Sequence, residues 1–147
     1  MSEFHIRDIP SVLDLIVETE TDARIFINDN EISDFEKIKL WGIRERIADI
    51  TKLIKIGKNK LIFTARIPSW LGPHAMPMSF LRGDFRLAEN TTLIKADCCI
   101  KPDIWTVQGY LNYSGKGTYR SEFELGDVKA AVLEIPTTDV VSIKVNG

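Results

Sequence analysis

Six residues in one loop-rich stretch carry the side chains best suited to hold a ligand: Trp105, Gln108, Tyr110, Asn112, Tyr113 and Tyr119. Aromatic faces stack on the C–H face of a pyranose and amides bind its hydroxyls, so together they form a candidate sugar platform. Trp70 and His74, in a Pro-rich run, form a second and weaker one. The competing reading is packing, with Trp105 and Tyr119 in a core and Tyr110 and Tyr113 pinning the loop, because aromatic residues in β-proteins mostly pack.

Catalytic chemistry is less well served. Hydrolysis of a glycosidic bond needs two facing carboxylates about 5–9.5 Å apart. Asp34, Glu36, Asp84, Glu89, Asp97, Asp103, Glu122 and Glu124 are all available, and nothing in their spacing singles out a pair. Asp49 and Asp84 suit structural roles, as a cap and a turn residue. His5, His74, Cys98 and Cys99 lack zinc-type spacing, and no nucleophile elbow, phosphate loop or dinucleotide fingerprint is present. No catalytic residue, metal ligand or cofactor is therefore expected. A structural calcium ion in a turn, from backbone carbonyls with Asp29, Asn30 or Asp127, is the remaining cofactor option.

Composition narrows the partners. The 147 residues are 44% hydrophobic and 27% charged with a net charge of −2, and Lys and Arg are spread along the chain, which argues against nucleic acid as a partner. The one bunching of lysines, Lys52, Lys55, Lys58 and Lys60, reads as a solvated turn and strand edge. No apolar run has the length of a membrane span. Cys98 and Cys99 are adjacent and point to opposite faces of a strand, so one buried and one semi-exposed thiol is expected rather than a disulfide between them.

The dominant hydrophobic period is two. β-type runs cover Leu13–Val17, Arg24–Asn28, Lys60–Ile67, Asp84–Leu87, Thr92–Ile100, Ile104–Gln108, Gly117–Leu125, Lys129–Ile135 and Val140–Val145, separated by turn residues. Short strands so punctuated predict an antiparallel sandwich or barrel. Ile47, Ile50, Leu53 and Ile54 fall on one face of a helix, predicting a short helix or helical turn within Ile43–Lys55, with Gly57 at its C-terminal cap. One unit recurs. Val12–Leu15 leads to Ile25–Asp29, and Val132–Ile135 leads to Ile143–Gly147, each a hairpin-like pair closed by Asn-Asp or Asn-Gly. The repeat suggests a segment of a longer β-rich protein.

Around these repeats the motifs become familiar. Trp41-Gly42, Asp49-Ile50-Thr51 and Gly57-Lys58-Asn59 leading into a strand resemble the close of a galactose-binding-like jelly roll. Such jelly rolls are the sugar-binding domains of large bacterial glycoside hydrolases of the family two type and of rhamnosidase-like relatives. Trp105–Tyr110, Tyr113-Ser114-Gly115, Gly117-x-Tyr119 and Glu122–Leu125, ending in Val-Asn-Gly, resemble the opening of such a domain. A closing half (residues 11–67) thus precedes an opening half (residues 80–147), joined by a Pro-rich loop (residues 68–79). Either the chain joins one sandwich to the next, or the halves complete a single permuted sandwich over residues 1–147; the second is the expectation. The resemblance implies an all-β, jelly-roll sandwich and a non-catalytic carbohydrate-binding or accessory module. Its alternatives are a structural spacer bracing a catalytic domain, or an inactive fragment of a glycoside hydrolase. A glycan and neighbouring enzyme domains are the implied partners, with homodimerisation through an exposed strand edge a further option.

Overall fold

Leu13, Leu15 and Val17 project from one side of one strand and are at most 1% exposed. The opposite face of the strand is covered as well, with Ile16 fully buried, so this is a central strand buried on both sides. In the computed structural model, residues 1–18, 23–40, 42–65, 78–89, 91–97, 99–113, 115–135 and 142–145 are described. They fall into two compact units, Met1–Gly117 and Thr118–Gly147.

The first unit is an all-β sandwich. Its strands are β1 (Ser2–Ile6), β2 (Leu13–Glu18), β3 (Ala23–Ile27), β4 (Asn30–Ile32), β5 (Glu36–Leu40), β6 (Ile43–Asp49), β7 (Gly57–Ala65), β8 (Ser79–Gly83), β9 (Phe85–Ala88) and β10 (Thr92–Lys95). Among the described residues, one sheet runs β4-β3-β7-β1-β10-β9 and the other β5-β6-β2-β8. Neighbours are antiparallel except β1 and β10, which run parallel with Ile6 beside Leu93. Ile6, Ile25, Ile27, Leu61 and Leu93 of the first sheet meet Leu13, Leu15, Val17 and Ala48 of the second in one apolar cluster. Each of the Ile, Leu and Val side chains contributes about 1.5–3 kcal/mol when fully buried.

Across the second sheet, Asp14 of β2 lies opposite Arg82 of β8, which donates from Nη2 at 2.7 Å and Nε at 3.1 Å to one carboxylate oxygen. The edge strand β5 places Lys37 and Lys39 along its length, a charged edge of the kind that resists strand-to-strand association.

Several expectations are corrected. Ile43–Asp49 is a strand, not the start of a helix, and a tight turn follows in which Leu53 N–H donates to Ile50 O at 2.9 Å. Pairing with β2 on one side and β5 on the other outweighs a helical spacing that Ile47 shares with Ile50, Leu53 and Ile54, residues that follow the end of the strand. Gly57 does hold φ +90, but as the first residue of β7. β2 and β3 are not a hairpin: they belong to different sheets, and the Asn28-Asp29 turn joins β3 to β4 instead. Both turn residues are left-handed (φ 47 and 70), as a two-residue hairpin requires.

Thr106–Gln108 is a 3-10 turn rather than part of a strand. The described residues of 117–125, 129–135 and 142–145 contain no strand. Alternation makes a strand only beside a partner that takes up its backbone hydrogen bonds, and none is present there among the described residues. The second unit instead exposes Phe123, Leu125, Val132 and Leu133, Val132 to 95%.

Candidate functional site

The loop that follows β10 carries the sequence-predicted aromatic residues, and a glycine holds it to the sheet. Leu87 N–H in β9 donates to Gly109 O at 2.8 Å. Gly109 lies at φ +93, and a Cβ there would stand 2.3 Å from Leu87 O. Only glycine permits both the left-handed backbone and the close approach. Gln108 then closes the loop on itself: its Oε1 accepts from Lys101 N–H at 2.9 Å, and its Nε2 donates to Lys101 O at 3.1 Å and to Ile104 O at 3.5 Å. With its amide engaged at both ends, Gln108 positions the loop.

Trp105, Tyr110 and Tyr113 come together on this loop. The Trp105 and Tyr113 rings lie 5.4 Å apart at 58°, and Tyr110 meets Tyr113 edge-on at 6.3 Å. Tyr113 is 49% exposed while Trp105 and Tyr110 are half-buried, and none of the three belongs to the core between the sheets. Tyr113 Oη donates to Lys116 O at 3.3 Å. Gly117 lies against Trp105, where a Cβ would stand 2.7 Å from Cζ2. The Tyr110 hydroxyl is buried with no hydrogen-bond partner among the described residues. Asn112 is exposed beside these rings in sequence. Tyr119 belongs to the second unit and is 48% exposed. Trp70, His74 and Cys98 lie outside the described residues; Cys99 is exposed.

A second arrangement was not legible as a site. Asn59 is fully buried in β7, and its amide grips Lys55 on both sides: Oδ1 accepts from Lys55 N–H at 2.9 Å and Nδ2 donates to Lys55 O at 2.7 Å. Asn28 grips Lys60 in the same way, its Oδ1 accepting from Lys60 N–H at 3.1 Å and its own N–H donating to Lys60 O at 3.0 Å. Asn28 Nδ2 donates to Asn59 Oδ1 at 2.7 Å and so joins the two clamps. Above them, Asn28, Asp29, Lys55, Lys58 and Lys60 line a recess of about 220 Å³. The available signals were the bunched lysines and Gly57-Lys58-Asn59, each ordinary on its own.

The carboxylates mostly serve the scaffold. Asp84 accepts from Val12 N–H at 2.8 Å and from Ser11 N–H at 3.2 Å. Burial acts to raise its pKa, but these donors outweigh burial and hold it below the ordinary carboxylate value. The Thr51 hydroxyl and N–H likewise depress Asp49. That contact closes the Asp-Ile-Thr turn, while Thr51 Oγ1 accepts from Leu13 N–H at 2.8 Å. Asp97 pairs with Arg86 and Glu89 with Arg7. Of the residues considered for calcium, Asn30 donates from Nδ2 to Asn28 O at 3.1 Å within the turn that holds Asp29, and Asp127 lies in the second unit.

Comparison of the chain with protein-family models, with curated proteins and with solved structures finds no match.

Proposed function

We propose that this chain is a non-catalytic carbohydrate-binding accessory module, as its resemblance to the sugar-binding domains of glycoside hydrolases implies. The observation that carries the reading is the ledge of Trp105, Tyr110 and Tyr113, which stands outside the sandwich core with Tyr113 half-exposed. A pyranose laid on such a ledge buries its C–H face against the rings while its hydroxyls stay in water or meet Asn112. Gly109 on β9 and the Gln108 clamp fix the loop beforehand, so little conformational entropy is lost on binding.

The test is a carbohydrate array followed by NMR titration of the hits. Sugar-dependent shifts centred on residues 105–113, lost in Trp105→Ala and Tyr113→Ala, support the module. No sugar perturbing these resonances would remove it. Glycosidase activity in the purified chain, abolished by a single carboxylate substitution, would replace it with an enzyme.

A second reading is favoured by a separate observation. The second unit exposes Phe123, Leu125, Val132 and Leu133 without a strand among its described residues. Apolar side chains exposed in this way suit a segment that docks on a neighbouring domain, whereas the patch that the spacer reading places on the Pro68–Pro77 side lies outside the described residues. Protection of these residues from solvent exchange only when such a domain is present would favour it.

A further inference from the structure

The recess beside the β3–β4 turn has a feature that a solvated strand edge does not need: its lysines are locked at the backbone. Lys58 and Lys60 are two apart in β7 and so share a face of the sheet. Asn28 fixes the backbone of Lys60 and Asn59 that of Lys55, and the 2.7 Å bond between the asparagines couples the two. The three lysines line one recess, and an anion seated there would be attracted by all of them.

The chain itself supplies less counter-charge than these lysines carry. Glu3 of β1 pairs with Lys58 at 2.6 Å. Lys55 and Lys60 form no ion pair among the described residues, and Asp29, the one carboxylate lining the recess, pairs with none of the three lysines. Three cations thus face two carboxylates, one of them already engaged. The volume, about 220 Å³, suits a small polyatomic group.

We propose that the recess formed by Asn28, Asp29, Lys55, Lys58 and Lys60 binds a small oxyanion, the sulfate, phosphate or carboxylate group of a ligand. Lys55 and Lys60 supply the charge-assisted hydrogen bonds, and Lys58 adds to the field while bound to Glu3. The site does not involve the aromatic ledge, so it stands or falls separately from carbohydrate binding there.

The experiment is an NMR titration of the full chain with inorganic sulfate and inorganic phosphate, against sodium chloride at matched ionic strength. Saturable shifts confined to the amides of Asn28, Asp29, Lys55 and Lys60 are expected. The double variant Lys55→Gln/Lys60→Gln should weaken binding about tenfold or more, whereas Lys60→Arg should stay within about twofold. Asp29→Asn, which removes a repelling carboxylate, should tighten it; Lys37→Gln, on the distant strand β5, should change nothing. Glucuronate and glucose then separate the sources. Competition by glucuronate identifies an anion that a sugar can carry, and competition by sulfate or phosphate alone identifies a free one; both support the site. Equal shifts with chloride, unchanged binding in the double variant, or glucose shifting the amides of Asn28, Asp29, Lys55 and Lys60 as strongly as glucuronate would overturn it.

Discussion

The side-chain amide of Asn28 donates to the side-chain carbonyl of Asn59 at 2.7 Å, joining the β3–β4 turn to β7 across 31 positions of sequence. Asn59 has no exposed surface, and its two amide atoms engage Lys55 N–H, Lys55 O, Gly57 O and Asn28. Through this pair the β3–β4 turn, the Lys55–Gly57 segment and β7 share one hydrogen-bond network.

Asn59→Ala should therefore be severe. It strands buried backbone groups of Lys55 and Gly57 as well as the Asn28 amide, at a cost of about 3 kcal/mol in urea unfolding. Asn28→Ala should cost less, because that residue is only half-buried. A double-mutant cycle should return a coupling of at least ~0.5 kcal/mol; additive single effects would mean that the 2.7 Å contact contributes nothing.

Gly109→Ala should release the aromatic loop while leaving the sandwich intact. The substitution meets a left-handed backbone and the Leu87 carbonyl together, with a strain of about 1–3 kcal/mol. Hydrogen exchange at Leu87 N–H should accelerate, while exchange in β2 and β6 should hold steady.

Asp84→Asn should alter the acid limb of the stability curve. The folded pKa of Asp84 lies below its unfolded value, so the carboxylate contributes stability above the unfolded value of about 4 and loses it as the pH falls through the folded one. The stability gap between the wild type and the variant should be widest at neutral pH and close on acidification. A gap that widens in acid would show the sign to be wrong.

Glu45→Leu should stabilise the chain. Glu45 is 4% exposed, its Oε2 has no hydrogen-bond partner among the described residues, and Glu18 lies directly opposite on β2. Replacing a buried carboxylate that has one unpartnered oxygen by an apolar side chain removes a desolvation cost, worth about 1 kcal/mol in chemical denaturation. Destabilisation by a similar amount would show that the carboxylate has a partner in solution.

Much of the scaffold was legible from local pattern. Leu13, Leu15 and Val17 declare their strand by alternation, and Asn28-Asp29 declares its turn because both residues tolerate positive φ. Ile43–Asp49 was not legible, because Ile47 falls at helical spacing with Ile50, Leu53 and Ile54, which follow the strand. β4, three residues long, carries too few alternating positions to stand out. Of the candidate platform, Trp105, Tyr110 and Tyr113 could be chosen by residue type, but the clamp role of Gln108 depends on the fold of its own loop.

The amino-acid sequence by itself determined the all-β class and the left-handed turn at Asn28-Asp29, because these rest on side-chain alternation and on backbone preference within a few residues. Only the tertiary structure decided that β2 and β3 part into different sheets, that Gly109 must approach Leu87, and that Asn28 and Asn59 lock two lysines around one recess. Those are contacts between distant segments, and no local preference encodes which distant backbone will stand opposite.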